Sequence, residues 1–456
     1  MPNRFWGPFI ILVAGLNVTV FGQDAHYWTS QFGTRSTLLG GVVIGSVDDM
    51  GATYYNPGRL ALIENPSFLI SARVYDYSVL LLRDGAEDGT DLKSNSFNPA
   101  PGLIAGSFKP KQLSGHHFAY SVLPRIKVNY ELSVRQVTDV GGLGANPGIQ
   151  QVKQEIALQQ KIDESWWGLT WSYRIHPRVG IGITPYLAFR KEHQSERVLA
   201  GAEISEFLVA TAIYINEFSY STYRALAKTG ASYEDSTLSL GVTVTLPSLH
   251  VFGEGSTVFS LTQSGGDLNG DGTIDDRLTT SNQEDIDAQY RSTWAVGGGI
   301  AYRFRHVRVH TSAEWYAGVS AYEVIEVDST LRSLTLSISH YSQPVFNYGV
   351  GAEFTLIRKT RGYVSFATDR SAVPASSDAN NISLTTWNFY HFTGGASLAI
   401  GQSELVLGLS YSQGKQILPT IFDLQDELGV DLIKTADTIH ARVQRWKFIF
   451  GVSIDL

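Results

Sequence analysis

The sequence predicts an all-β chain that closes into a transmembrane antiparallel β-barrel of about 14 strands. Three observations predict it. The first is strict alternation. In "WKFIFGVSIDL", Trp446, Phe448, Phe450, Val452, Ile454 and Leu456 share one face, because side chains of a strand alternate sides. "STLSLGVTVTL", "SWWGLTWSYRI" and "FNYGVGAEFTL" repeat the pattern. The second is the opposite face, which is mostly Gly, Ser and Thr. A soluble surface would carry more Lys and Glu, whereas a barrel lumen is polar and crowded. Aromatic residues such as Trp446, Trp167, Tyr173, Trp315 and Phe346 stand near the ends of the apolar faces, where membrane girdles belong. The third is connection length. Short turns fall near His176-Pro177, Pro247-Ser248, Arg305-His306, Lys359-Thr360 and Gly401-Gln402. Longer polar excursions, such as Glu192 to Ala212, Gln263 to Asp287, Arg370 to Ser383 and Gln413 to Thr438, lie between them.

The elements are expected in this order. Residues 1–22 read as a signal peptide: Arg4, an apolar run to Phe21, then Val20 and Gly22 at small-residue positions before a mature start near Gln23. The run is short for a membrane anchor and polar sequence follows at once. Residues 23–66 are too few for a core of their own and too apolar for a solvated tail. They are expected to plug the barrel lumen as a small N-terminal hatch. Asp48 or Asp49 is placed to cap a short helix over Met50 to Tyr55. Asn56 caps the next, with Pro57 at its first position, where a missing N–H costs nothing. Residues 67–456 form the barrel. "EISEFLVATAIYI" reads as either a strand or a short loop helix.

Composition excludes several classes. The chain has 456 residues, no Cys and a net charge of -8, so it offers no disulfide framework, no thiolate metal site and no basic face for nucleic acid. No G-x-S-x-G or H-E-x-x-H motif is present, and the chain is expected not to be an enzyme. No cofactor is required on this reading.

One run has metal-ligand spacing. In "GGDLNGDGTIDDRL", Asp267, Asn269, Asp271, Thr273 and Asp275 fall at positions 1, 3, 5, 7 and 9 of a calcium loop. Leu278 stands where the bidentate acid belongs, and Asp276 is the substitute. Ca2+ is the candidate ion of this external loop, against the plainer reading of an acidic loop tip. Arg174, Arg303 and Glu353 are expected in the lumen near the short turns, as mutual pairs. Arg190 and Arg224 are expected nearer the other end. There one basic group in an apolar pocket, Arg190 first, would hold a carboxylate substrate.

An exported chain with a Gly-rich lead, "DDMGATYYNPGRLA" and then a strand resembles the FadL-type family of outer-membrane transporters for long-chain fatty acids and other hydrophobic compounds. The resemblance is specific over residues 35–68 and generic over the barrel. It implies fourteen strands and a hatch with an Asn-Pro-Ala signature. Here the triplet is Asn56-Pro57-Gly58, and Gly is read as a small change from Ala. The resemblance also implies passive uptake across a Gram-negative-type outer membrane by a monomer. Ligand is captured at external loops, and hatch movement lets it leave sideways through the wall into the lipids. A FadL-like barrel also serves as a scaffold in type IX secretion, so a protein partner at the external loops is the second expectation. Gln416 to Ile439 would be its lid or docking segment.

Overall fold

The computed structural model describes residues 19–20, 26–63, 67–87, 90–100, 102–139, 151–205, 208–266, 275–326, 337–357, 359–373, 387–401, 403–418 and 439–455. Among them, 17 strands form one antiparallel sheet. The sheet closes because Ser67–Glu87 pairs with Ile439–Asp455 on one side and with Thr90–Ala100 and Ile104–Phe108 on the other. Three wall strands are broken in two: Thr90–Ala100 with Ile104–Phe108, Leu238–Thr245 with Leu249–Gly266, and Asp275–Asp287 with Ala295–Arg303. Thr90–Ala100 and Ile104–Phe108 both pair with Ser67–Glu87, Leu238–Thr245 and Leu249–Gly266 both pair with Leu208–Glu234, and Asp275–Asp287 and Ala295–Arg303 pair with the two halves of that preceding strand. Val319–Ile325 and Ser337–Ser342 leave the wall and pair with each other in a separate three-stranded sheet, with Thr19–Val20 beside Ser337–Ile338.

Two sequence expectations are corrected by the pairing. Pro247-Ser248 is not a turn. The Leu246 amide still donates to the Ala227 carbonyl at 2.8 Å, so the ladder passes the proline, and the turn lies between Glu234 and Leu238. Glu192 to Ala212 is not a loop either. Val179–Ser205 and Leu208–Glu234 make one long hairpin, and "EISEFLVATAIYI" runs through its two strands.

The faces are as the alternation requires. Leu240, Val242, Val244 and Leu246 are exposed while Ser239, Gly241 and Thr243 are buried; Phe448 and Phe450 are exposed while Ile449 and Gly451 are buried. Along Gln151–His176 the alternation is unbroken but its chemistry inverts. Trp167, Leu169 and Ile175 point out, and Thr170 and Ser172 point in. Beyond Trp166, Val152, Ile156, Leu158 and Ile162 point in, and Lys153 and Lys161 point out. Trp167 to Ile175 matches the roughly 9–11 residues that a tilted strand needs to cross a bilayer. The wall therefore projects past the apolar belt, and its projecting part is apolar inside.

Residues 26–63 lie within the lumen at the short-turn end, nearly all buried. The inward glycines of the wall explain how they fit. A Cβ on Gly58 would come within 2.7 Å of the Gly230 carbonyl and 2.8 Å of the Gly180 carbonyl. Cβ atoms on Gly180, Gly230, Gly241 and Gly299 would strike the backbone or side chains of Gly58, Asn56, Ile44 and Gly45. The wall is glycine-rich on this face because the lumenal segment needs the room. Gly58 is accordingly not interchangeable with Ala here, which corrects the reading of that position as a small change.

Candidate functional site

The lumen has three layers. At the projecting end is an apolar collar. Leu80, Leu92, Val128, Tyr130, Leu132, Ile156, Leu158, Ile162, Val198, Tyr214, Leu261, Trp387, Phe389 and Val443 are among its buried members, drawn from one arc of adjoining wall strands. Register sets this face: a bulge between Pro124 and Ile126 keeps Val128, Tyr130 and Leu132 inward.

Below the collar lies a layer of buried charge. Register places Glu164 opposite Arg190, and Ala188 opposite Arg224. Arg190, with no exposed surface, donates to Glu164 at 3.0 Å, Glu192 at 2.9 Å and the Tyr220 hydroxyl at 3.1 Å. Arg224 Nη2 lies 2.8 Å from Glu164 Oε1. The Tyr290 ring sits 4.2 Å from Arg190 Cζ and 4.5 Å from Arg224 Cζ. The inward hairpin packs beside this layer: Tyr322, Val324, Ile325 and Ile338 cluster with Phe218, Tyr220 and Ala288. Arg190 is thus a paired group and not a lone cation in an apolar pocket, because its register partner is a carboxylate. Glu164→Gln would leave Arg224 without its carboxylate and Arg190 with Glu192 alone. It is expected to cost about 3–5 kcal/mol, read as a lower midpoint of urea unfolding.

The third layer is the lumenal segment. Asp369 receives the Tyr27 and Trp28 amides at 3.0 Å each and the Thr29 hydroxyl at 2.5 Å. Glu314 accepts from Trp28 Nε1 at 3.0 Å and from Lys228 at 3.2 Å. Arg35 pairs with Asp48 at 2.7 Å and with Glu353 of the wall. Asn56 donates to the Ile44 carbonyl at 2.9 Å, the Ala231 carbonyl at 3.2 Å and Ser232 Oγ at 3.0 Å. Its own oxygen accepts the Gly58 amide at 3.1 Å, so Asn56 caps the 3-10 helix Pro57–Leu62 with Pro57 in its first turn. Arg59 pairs with Glu234 at 2.7 Å.

Asp48 and Asp49 do not cap the short helix that follows them. That helix, Ala52–Tyr55, has Gly51 at its N-cap. Asp48 is taken by Arg35. Asp49 instead ties two turns together, accepting from the Ser36 amide (2.8 Å), the Ser36 hydroxyl (2.9 Å) and the Gly51 amide (2.8 Å). Burial pushes the Asp49 carboxyl up from 3.8 to about 6. A carboxyl raised in the folded state favours folding below its unfolded pKa, and that contribution is lost as pH rises through the folded one. The segment is expected to loosen from about pH 4 to pH 6. Amide exchange at residues 33–51 should accelerate over that window in the wild type and stay flat in Asp49→Asn.

Other predicted residues are placed as follows. Arg174 Nε donates to the Ala61 carbonyl at 2.8 Å, whereas Arg303, opposite Arg308 at the strand end, is exposed at the rim. Asp267, Asn269, Asp271 and Thr273 lie outside the described residues, as does the side chain of Asp275. Asp276 Oδ1 accepts from Ser264 Oγ at 2.7 Å and from the Gly265 amide at 3.3 Å. The signal-peptide cleavage region and residues 419–438 of the proposed docking segment also lie outside them.

Several cavities adjoin the segment. One of about 510 Å³, at the short-turn end, is lined by Arg35, Asp48, Asp49, Arg361, Glu404 and several hydroxyls. One of about 50 Å³ runs from Thr29–Phe32 to the wall at Gly102, Pro124 and Lys127. There the described wall has a seam. Thr90–Ala100 pairs only with Ser67–Glu87, and Ile126 to Asp139 pairs only with Gln151–His176. No ladder joins the two across the gap among the described residues. Proline accounts for the ends of the break: Pro99 lies on one side and Pro124 at the bulge on the other, and neither can donate to a ladder.

This architecture is that of a transmembrane barrel with solved counterparts. A Pseudomonas aeruginosa FadL homologue superposes with a TM-score of 0.61 at 11% identity, over 94% of this chain and 100% of that one. The P. putida toluene transporter TodX superposes at 0.56 with 12% identity, over 94% and 99%. The Ralstonia pickettii toluene transporter TbuX superposes at 0.52 with 12% identity, over 94% and 99%. No family model matches the sequence, and no curated protein matches it.

Proposed function

We propose that this protein is an outer-membrane channel for passive uptake of hydrophobic small molecules. Long-chain acyl compounds and simple hydrocarbons are the substrate classes. The observation that carries the reading is the inverted polarity of the projecting wall, which lines an extramembrane lumen with apolar side chains. An apolar solute gains about 25 cal/mol per Å² on leaving water for such a collar. Solved counterparts named for toluene transport, and a FadL homologue, support the same class.

Straight passage is disfavoured by what lies below. The charge layer and the segment that fills the lumen block it, and the short-turn cavity is lined by charged and hydroxyl groups. The seam beside Gly102 and Pro124 is the alternative. It begins where Phe97 (exposed) sits beside Tyr77, which is in turn paired with Trp446, an aromatic group at the edge of the apolar belt. We place lateral exit there, with residues 26–63 acting as the hatch. No catalytic step is part of this reading.

Uptake by cells expressing the protein tests it. Radiolabelled long-chain acid or alkylbenzene should accumulate faster than in vector controls. Ile156→Asp, in the collar, should reduce the increment about tenfold, since a buried charge costs more than the 1.4 kcal/mol that tenfold represents. Heat-modifiable gel mobility checks that the variant barrel is folded. Equal accumulation with and without the protein would refute the proposal.

A further inference from the structure

A second cavity of about 50 Å³ lies between the charge layer and the lumenal segment. Tyr27, Tyr54, Trp166, Tyr290 and Tyr316 give it aromatic walls, and Arg125, Arg224, Lys228, Glu164 and Glu314 line it too. These five charged groups are buried, as is His26, which also lines the cavity and is counted as neutral. Three are cations and two are carboxylates, so one positive charge is in excess. The nearby Arg190 and Glu192 pair with each other and leave that balance unchanged.

The carboxylates are already committed. Glu164 accepts from Arg190 (3.0 Å) and Trp166 Nε1 (2.6 Å). Glu314 accepts from Trp28 Nε1 (3.0 Å), the Tyr316 hydroxyl (2.5 Å) and Lys228 (3.2 Å). Arg224 is the exception. It has no exposed surface, and its Nε, Nη1 and Nη2 all lack a hydrogen-bond partner. The 2.8 Å approach of Nη2 to Glu164 Oε1 is a charge contact without hydrogen-bond alignment. Buried guanidinium N–H donors without partners, beside a cavity, demand an acceptor. Water would satisfy the donors but not the excess charge.

We propose that this cavity holds a small inorganic monoanion of halide size, gripped by Arg224. The volume suits a single ion with a water or two. Ile126 lines the cavity and belongs to the collar, so the two adjoin, but about 50 Å³ is too small for an acyl tail. Bound there, the ion touches both the wall (Arg224, Lys228) and the lumenal segment (Tyr54), so it fastens one to the other.

The test uses the full chain crystallised in sodium bromide. A bromine anomalous peak in the cavity beside the Arg224 nitrogens is expected, absent in Arg224→Met. In solution, exchanging gluconate for chloride at about 0.15 M should slow amide exchange at residues 52–55 several-fold in the wild type and leave Arg224→Met unchanged. If Arg224→Met does not fold, the wild-type bromide map decides alone. A cavity holding only water overturns the proposal. So does density for the acid group of an amphiphile, which would make this a head-group site for the transported solute.

Discussion

Gly58→Val is expected to unseat the lumenal segment while the wall stays assembled. The side chain would have to occupy space where even a Cβ lies 2.7 Å from the Gly230 carbonyl and 2.8 Å from that of Gly180. Both obstacles are backbone of a closed sheet, which cannot retreat as a flexible side chain does. Overpacking costs about 1–3 kcal/mol even where side chains can shift. The first movable part is the 3-10 helix Pro57–Leu62, and with it go the Asn56 bonds to Ala231 and Ser232 and the Arg59–Glu234 pair. Arg35 and Arg59 are buried in the wild type. Trypsin should cleave at them at least about tenfold faster in the variant, since 1.4 kcal/mol is a factor of ten. Unchanged cleavage would mean that the glycine bed does not set the seating of the segment.

Closing the seam is expected to stop export from the barrel without stopping entry. The chain has no Cys, so an introduced pair is the only thiol chemistry present. Ser94 and Leu132 both face the lumen side on the two unpaired edges, and Ser94 Oγ accepts the Glu131 amide at 3.4 Å, so the edges are close. Oxidised Ser94→Cys/Leu132→Cys should retain solute binding yet lose at least about nine-tenths of uptake, and reductant should restore it. Full uptake through an oxidised pair would remove the seam from the route.

The barrel was legible because period-two alternation is a direct consequence of the pleat. It shows in Leu238 to Leu246 and in Trp446 to Ile454 without any structure. Asn56-Pro57-Gly58 was legible as a capped turn, but not as a contact with the wall, since nothing local to the triplet says that Gly180 and Gly230 lie against it. Pro247 misled because proline usually ends a strand, whereas here the neighbouring ladder carries past it. Glu192 to Ala212 misled because its polar side chains face water on a strand that has left the membrane. The Lys153-to-Asp163 stretch carries the same signal on its own strand. Arg190 was found but its partner was not. Counting out from His176–Val179 would set Glu164 against Lys191; only the register shift between Arg174 and His176, which the sequence does not announce, brings it opposite Arg190. The seam, by contrast, depends on the absence of a ladder between two strands, which no single strand records.

The central claim is that a hydrophobic solute lodges in the collar above the charge layer. The most direct test is a crystal structure of the protein with a terminally brominated long-chain acid, read by bromine anomalous scattering. The account predicts a peak within the collar, among Ile156, Leu158, Val198 and Trp387. A peak confined to the polar cavity at Arg35, Asp49 and Arg361, with none in the collar, would contradict it.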